Sequence, residues 1–304
     1  MSDAVSTAPL LLPQGIDKHR IVWPYAITLV LYHLLALLAF VPAFFSWAGV
    51  MLMVAGLYVF GTLGINLCFH RLLTHRGLVC PKWLEYSLAI LGVCCMQDTP
   101  AHWVAIHRLH HAHSDEQEDP HSPLVSFMWG HMGWMVFENR DISRLEIYSR
   151  YAKDLLRDPF YKQLEGWLFP VIILGSWVVF FLAGFTYARI TGDTFEQALQ
   201  FGAGILIWGV FVRTVLVWHI TWSVNSVAHL WGYQNYKTGD KSRNNWLVAI
   251  LAAGEGWHNN HHAQPRSARH GHRWFEFDLT YSSVWALEKL GLATKVIRPE
   301  RKPD

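Results

Sequence analysis

Long runs of apolar residues dominate the pattern along the chain. Four runs, at residues 23–47, 50–69, 168–187 and 201–222, contain no charged side chain except Arg213 in the fourth. Each run is close to the about 20 residues that a helix needs to cross a hydrocarbon layer about 30 Å thick. The pattern therefore predicts an all-α membrane protein with four transmembrane helices, arranged as two hairpins.

A fifth apolar stretch, at residues 84–97, is too short to span and is predicted to stay on one side of the membrane. Lysine and arginine are unevenly distributed between the runs: two precede the first run, ten lie between the second and third, and eleven follow the fourth. Loops rich in these residues stay in the cytoplasm. Both termini and the segments 70–167 and 223–290 are therefore predicted to be cytoplasmic, and to form a helical cap on a single integral-membrane domain of residues 1–304.

The composition agrees with a membrane protein and limits its partners. The chain is 52% hydrophobic and 16% charged, whereas a typical soluble domain has about 25% charged residues. Its net charge of +2 gives no excess to attract nucleic acid, so membrane lipid is the expected partner. The four cysteines have no C-x-x-C spacing, which argues against a disulfide framework or an iron–sulfur site.

Histidine is unusually frequent, with 18 residues, and eight of these form three clusters. The clusters read HRLLTH, HRLHH and HNNHH, and their histidines are His70 and His75, then His107, His110 and His111, then His258, His261 and His262. On a helix, positions i, i+3 and i+4 share a face, so each H-x-x-H-H is predicted to bring three imidazoles together. His70 and His75 would point about 140° apart on a regular helix. They need either a helix end or two different metal ions, and two metals are the simpler interpretation.

A further pair, Asn225 and His229, lies one helical turn apart just after the fourth run. His229 could add a ninth imidazole, and Asn225 an amide that holds a water. A structural zinc ion needs only four ligands and often takes thiolates, so iron or copper fits this set better. An imidazole-rich site for two metals is therefore predicted.

These boxes resemble those of the membrane fatty-acid desaturase superfamily, H-x(3,4)-H followed by two copies of H-x(2,3)-H-H. The words DPH at 119–121, GHMGW at 130–134, NSVAHLWG at 225–232 and GEGWH at 254–258 are similar to the stearoyl-CoA, or delta-9, branch. The resemblance implies insertion of a cis double bond between carbons 9 and 10 of a saturated acyl chain, with dioxygen and two electrons. It also implies two iron ions, cycling between Fe2+ and Fe3+, with Asn225 holding a water and nine histidine ligands: His70, His75, His107, His110, His111, His229, His258, His261 and His262.

We also predict roles for three residues near the boxes. Trp103, just before the second box, is predicted to be a wall of the substrate tunnel. His121 and His131 belong to the DPH and GHMGW words, and they are expected to orient ligands through hydrogen bonds.

The acyl carrier and the electron donor stay open. Animal acyl-CoA enzymes have a basic residue two positions before the second box and an Arg-Lys pair after the Gly-Trp motif, where this chain has Ala105 and Glu138-Asn139. Both acyl-CoA and a membrane acyl-lipid are therefore considered as substrates, because residues 113–127 are similar to cyanobacterial-type members. No heme-binding HPGG signature follows Leu290, so a separate ferredoxin or cytochrome b5 is the expected donor.

Other functions would need a different pattern. A lipid hydroxylase or alkane monooxygenase of the same superfamily would use the same boxes, but the words NSVAHLWG and GEGWHNNHH favour a desaturase. A histidine-rich transporter would place its histidines inside the spans near the midplane, whereas these clusters follow span ends. A zinc-dependent hydrolase would need a general base and far fewer histidines.

Overall fold

The computed structural model of the chain describes residues 10–140, 142 and 144–300. Helices dominate this part of the chain, as the sequence predicts. In chain order they are α1 Trp23–Leu37, α2 Trp47–Gly56, α3 Lys82–Val93, α4 Pro100–His113, α5 Phe127–His131, α6 Arg144–Ile147, α7 Pro159–Leu164, α8 Leu168–Ile190, α9 Phe195–Leu206, α10 Arg213–Leu230, α11 Trp246–Leu251, α12 His258–Ala263 and α13 Leu279–Lys289.

Among the described residues, four helical segments are long and apolar enough to cross a membrane, as predicted: Trp23–Phe40, Trp47–Thr74, Leu168–Ile190 and Phe195–Leu230. The second segment is α2 continued without interruption by a π-helix, Leu57–Thr74. The fourth joins α9 to α10 through a π-helical stretch, Ile207–Val212.

The bounds of all four segments differ from those of the predicted runs, and two of the differences have a local cause. The run at residues 23–47 is not one helix: α1 ends at Leu37, and 3-10 turns follow at Leu38–Phe40 and Pro42–Phe44. Pro42 lacks an amide hydrogen, and a proline keeps the residue before it out of the helical region. Val41 is accordingly extended, and the helix does not continue through it. The fourth segment begins earlier than predicted because Thr194 and Gln197 form a reciprocal capping box at the start of α9.

The short helix α3 packs against the π-helix Leu57–Thr74 where two glycines meet. A Cβ atom on Gly64 would lie only 2.4 Å from the backbone nitrogen of Gly92. Only glycine allows this approach of two backbones. Because α3 has 12 residues, it is about 18 Å long, too short to cross the hydrocarbon layer.

The described residues also contain two short strands, which the all-α prediction misses. Strand β1, Ile16–Ile21, pairs antiparallel with β2, Phe137–Asn139. The ribbon joins the segment before the first span to the chain after α5. Its three paired positions, Ile16 with Asn139, Asp17 with Glu138 and Ile21 with Phe137, are too few to give a recognisable alternating pattern.

The main core lies between α3, α4 and the C-terminal half of the second span. Leu67, Phe69, Leu73, Val93 and Val104 are fully buried there. This packing fixes the first and second histidine boxes relative to each other, because His70 directly follows Phe69 and His107 lies on the same helix as Val104.

Candidate metal centre

The structure brings all nine predicted histidines together in two neighbouring groups. The first group consists of His70, His75, His107, His111 and His261, and the second of His110, His229, His258 and His262. Within each group one nitrogen of every ring lies within 4.8 Å of the others. Four helical elements supply them: the C-terminal end of the second span, α4, the last turn of α10, and α12.

The spacing of the nitrogens fits a shared metal ion in each group. In the first group, Nε2 of His111 lies 3.1 Å from that of His107 and 2.9 Å from that of His261. In the second, Nε2 of His258 lies 3.0 Å from those of both His229 and His262. Two nitrogens bound at right angles to one ion, each at about 2.1 Å, would be about 3.0 Å apart.

The second and third boxes each divide between the groups, so the prediction that all three imidazoles of a box converge is wrong. His107 and His111 belong to the first group, whereas His110 belongs to the second. In the third box, His258 and His262 belong to the second group and His261 to the first. On an α-helix, position i+4 lies about 40° from i, while i+3 lies about 60° away on the other side. The i and i+4 residues therefore stay together, and the i+3 residue faces the other group.

His70 and His75 both belong to the first group, with ring centroids 4.8 Å apart. The favoured interpretation, that they serve different metals, is therefore wrong, and the alternative of a helix end is correct. The backbone amide of His75 donates to the carbonyl of His70 at 3.1 Å, a π-helical step of five residues. This wider turn brings both rings to one side.

Four acidic side chains contact the outer nitrogens of four of the nine histidines. The distances from carboxylate oxygen to Nδ1 are 2.9 Å for Asp119 with His110, 2.9 Å for Asp115 with His229, 2.7 Å for Asp240 with His262 and 2.7 Å for Glu255 with His70. Acidic partners of this kind fix the tautomer and ring orientation of metal-binding histidines. None of the four was singled out from the sequence, although Asp119 and Glu255 belong to the DPH and GEGWH words.

A cavity of about 520 Å3 reaches both groups, and His107 and His258 are among its lining residues. The predicted wall residue Trp103 lines it too, with its ring stacked on that of His107 at a centroid distance of 5.0 Å. Trp103 Nε1 donates to Gln97 Oε1 at 3.2 Å, and Gln97 Nε2 donates to Thr221 Oγ1 at 2.9 Å. Much of the remaining lining is apolar and includes Leu29, Ile65, Met96, Ile106, Trp218 and Trp222.

The sequence matches the family described as fatty acid desaturase over residues 45–291. The chain belongs to this family. It is an oxidoreductase whose relatives include an sn-1 stearoyl-lipid 9-desaturase of Anabaena variabilis, 41% identical over 94% of this chain and 97% of that protein. An sn-2 palmitoyl-lipid 9-desaturase of Nostoc sp. (strain 36) is 38% identical over 94% of each chain. An acyl-CoA C20 Delta5-desaturase of Anemone leveillei is 40% identical over 88% of this chain and 79% of that protein.

Burial favours the neutral form of six of the nine histidines of this desaturase. Burial, followed by repulsion from neighbouring imidazoles, holds the pKa well below its ordinary value for His75, His107, His111, His258, His261 and His262. A neutral imidazole has a lone pair for a metal. Nε2 of His75 is buried and has no hydrogen-bond partner among the described residues, which fits a nitrogen reserved for an ion.

A buried arginine next to the first group binds two acidic side chains. Arg71 is fully buried; Nη2 lies 2.8 Å from Glu255 Oε1, and Nη1 lies 2.9 Å from Asp278 Oδ2. Burial alone would raise the pKa of Glu255. The guanidinium of Arg71, with neighbouring His270 and His70, instead holds this pKa well below its usual value. Glu255 thus stays ionised next to His70.

The three other residues that were expected to support the centre are Asn225, His121 and His131. Asn225 lines the cavity one turn before His229. The ring of His121 is 4.4 Å from that of His110, between centroids. His131 differs from its predicted role: its two ring nitrogens lie 3.0 Å from Ser226 Oγ and 3.0 Å from Nδ1 of His219, so they are engaged away from the nine histidines.

Proposed function

We propose that the chain is a delta-9 acyl-lipid desaturase, which inserts a cis double bond between carbons 9 and 10 of a saturated acyl chain. The observation that carries the proposal is the apolar cavity, which is lined by histidines of both groups. An alkyl chain in this cavity lies directly against the candidate metal centre. The two relatives named as stearoyl-lipid and palmitoyl-lipid 9-desaturases support the position of the double bond.

The proposed cofactor is a pair of iron ions, one in each histidine group, with Asn225 holding a water. When bound, the iron pair supplies the redox chemistry by which dioxygen, two electrons, two protons and two hydrogens of the acyl chain become two waters and a double bond. The residues of the chain place the substrate for this reaction. Trp103 and the Gln97–Thr221 hydrogen bond fix the cavity wall next to His107, and the apolar lining excludes water from the reacting methylenes.

The proposed substrate is an acyl-lipid rather than acyl-CoA. Ala105, where the animal acyl-CoA enzymes have a basic residue, is completely buried. Glu138 and Asn139, in place of an Arg-Lys pair, line the cavity. A nucleotide carrier has several phosphate charges, which Ala105, Glu138 and Asn139 do not neutralise. The acyl-lipid relatives support the same carrier.

We further propose that residues 1–304 form one membrane domain, with two hairpins of spans and a cytoplasmic cap made of residues 70–167 and 223–290. His75 directly follows the second span, and His229 lies in the last turn of the fourth. Both spans therefore reach the site at their C-terminal ends, as expected if both run toward the cytoplasm. The distribution of lysine and arginine supports this orientation. The terminal residues 1–9 and 301–304 lie outside the described part of the chain.

The two electrons are proposed to come from a separate ferredoxin or cytochrome b5. Arg266 and Arg273 are exposed in the segment after α12, the helix that carries the third box. Exposed arginines favour encounter with an acidic partner protein.

Fatty-acid analysis of a desaturase-deficient host tests the proposed function. The host expresses the wild type or His110→Ala, and mass spectrometry locates the double bonds in the methyl esters. We expect a cis-9 monoene with the wild type alone, because His110 is a ligand of the second group. Hydroxylated acyl chains in place of the monoene would assign the protein to the lipid hydroxylases, and equal monoene from both proteins would refute the ligand assignment.

A further inference from the structure

Three segments of the chain meet on the outer side of the first histidine group: the segment after the first box, the segment after α12 and the C-terminal segment. The amide of Ile297 donates to the carbonyl of Gly77 at 2.8 Å, and the amide of Ala268 donates to the carbonyl of Ile297 at 2.8 Å. Val79 and Thr294 form an antiparallel bridge beside them. These backbone bonds fix the two later segments relative to the first box.

Each of the three segments carries an exposed basic residue, and these are Arg76, Arg266 and Lys295. The segments approach closely, because a Cβ atom on Gly77 would lie only 2.9 Å from the carbonyl oxygen of Arg266. Lys295 directly follows Thr294 of the bridge. The three cations therefore lie on one part of the cap, which we call the junction surface.

Two arginines at the junction surface share a single carboxylate. Nη2 of Arg76 lies 2.6 Å from Asp154 Oδ2, and Nη1 of Arg108 lies 2.8 Å from Asp154 Oδ1. The side chains of Arg76 and Asp154 are 45% and 42% exposed, so solvent and partners reach this network. One negative charge against two positive charges leaves a net positive charge here.

The other two cations add to this charge. In the part of the chain that the structure describes, neither Arg266 nor Lys295 forms an ion pair. Nearby, Glu288 is neutralised by Arg298, whose Nη2 lies 2.5 Å from its Oε2. Glu300 adds one negative charge at the edge. The junction surface is thus positive overall, and it is complementary to an acidic partner.

The junction surface lies next to two histidines of the first group. Arg76 directly follows His75, and Arg108 lies one helical turn before His111 on α4. His111 is half-buried and is not among the lining residues of the cavity, so its accessible part faces away from the substrate. The rings of His75 and His111 are 4.6 Å apart between centroids. A protein on the junction surface therefore comes close to the first group without entering the cavity.

The position of the surface favours a protein rather than a lipid headgroup as its occupant. The second span, Trp47–Thr74, has 28 residues, whereas about 20 are enough to cross the hydrocarbon layer. Its C-terminal end, which Arg76 follows, therefore extends past the layer. Complexes that transfer electrons are small and transient, and opposite charges steer their formation.

We propose that the junction surface is the docking site of an acidic one-electron carrier protein, which delivers electrons at the first histidine group. This inference rests on the proposed function. Each encounter passes one electron from the reduced carrier to the centre, and the carrier leaves oxidised. Two encounters supply the two electrons that are used for one double bond.

Charge reversal on the purified holoprotein in nanodiscs tests the docking site, with an acidic ferredoxin and the soluble heme domain of a cytochrome b5 as the two carriers. Arg266→Glu and Lys295→Glu should each lower the association rate constant about tenfold at low salt. The difference should disappear at about 0.5 M salt, because salt screens the attraction between exposed charges. Lys237→Glu is the matched control, since it makes the same charge change at an exposed position three residues before Asp240, the partner of His262 in the second group.

Steady-state kinetics give a second measurement on the same variants. The KM for the carrier should rise about tenfold in Arg266→Glu and Lys295→Glu, while kcat falls by less than twofold and the iron content is unchanged. A variant that merely disturbed the fold would instead lower kcat and iron content together. That result would overturn the docking role.

The outcomes separate the docking site from the proposed function. A wild type that forms no monoene refutes the proposed function, whereas carrier binding is measured without turnover and still tests the junction surface. Binding of neither carrier by the wild type, or an equal loss of binding in Lys237→Glu, would overturn the proposal. Unchanged carrier binding in Arg266→Glu and Lys295→Glu, with an altered dependence of the thermal midpoint on phosphatidylglycerol in the nanodisc, would assign the surface to lipid headgroups.

Discussion

Asp119 accepts a hydrogen bond from Nδ1 of His110 at 2.9 Å, and the two side chains are 0% and 2% exposed. The bond assigns the proton of His110 to its outer nitrogen and leaves the lone pair of Nε2 for the second group. Burial alone would raise the pKa of Asp119, but the adjacent His110 lowers it below its usual value, so the carboxylate is ionised at neutral pH. Asp115 holds His229 in the same way.

Replacing Asp119 by asparagine should weaken metal binding by about 10-fold to 100-fold, because a neutral amide no longer fixes the tautomer of His110. The measurement is iron per chain after dialysis against increasing concentrations of a chelator. Glu116→Gln, which removes a carboxylate that is 65% exposed, is the matched control. Equal iron retention by Asp119→Asn and the control would show that the hydrogen bond is irrelevant to the centre.

Substitution of two histidines of α12 can test whether the two groups bind separate ions. His258 and His261 lie three residues apart but belong to the second and first groups. Each alanine substitution should remove about one of the two proposed ions, and the double variant should remove both. Elemental analysis of the purified proteins gives the stoichiometry. Complete loss of iron in both single variants would mean that the ions bind only as a pair.

The four spans and all nine histidines of the centre could be recognised in the sequence, because apolar runs and clustered imidazoles are local signals. Their division between two groups could not, since it depends on the rotation of α4 and α12. The pairing of His70 with His75 depends on a π-helical turn, whose sequence looks like that of an ordinary helix. Asp240 could not be found either, because it lies 22 residues before its partner His262.

Arg71 is predicted to be the residue whose loss most destabilises the site. Arg71→Met would leave Glu255 and Asp278 buried without their shared cation, which typically costs about 3–5 kcal/mol. Arg71→Lys should be less severe but still destabilising, because an ammonium cannot bind both carboxylates in the planar geometry of a guanidinium. Thermal unfolding in one detergent compares the variants. A midpoint for Arg71→Met equal to that of the wild type would contradict the prediction.

Asn225→Ala should lower activity less than the loss of a histidine ligand. The amide lines the cavity next to the second group, and its proposed role is to hold a water rather than to bind the metal directly. The measurement is monoene formed per iron, compared with His229→Ala one turn away. Wild-type turnover in Asn225→Ala would rule out the proposed role.

Trp103 combines two contacts that substitution can separate. Its ring stacks on His107 at 5.0 Å between centroids, and its Nε1 donates to Gln97, which itself donates to Thr221. Trp103→Phe keeps an aromatic ring beside His107 but removes the donor, so Gln97 loses one of its two hydrogen bonds and the cavity wall beside His107 is held less firmly. Since a displacement of about 1 Å at a reacting centre can cost about 100-fold in rate, we expect turnover per iron to fall by about 10-fold to 100-fold with iron content unchanged.

Trp103→Ala removes both contacts and should also lower iron retention, because the His107 ring loses its stacking partner. Unchanged turnover in Trp103→Phe would show that the Nε1 hydrogen bond is not needed to position the substrate, whereas loss of iron in that variant would assign the role of Trp103 to the support of His107.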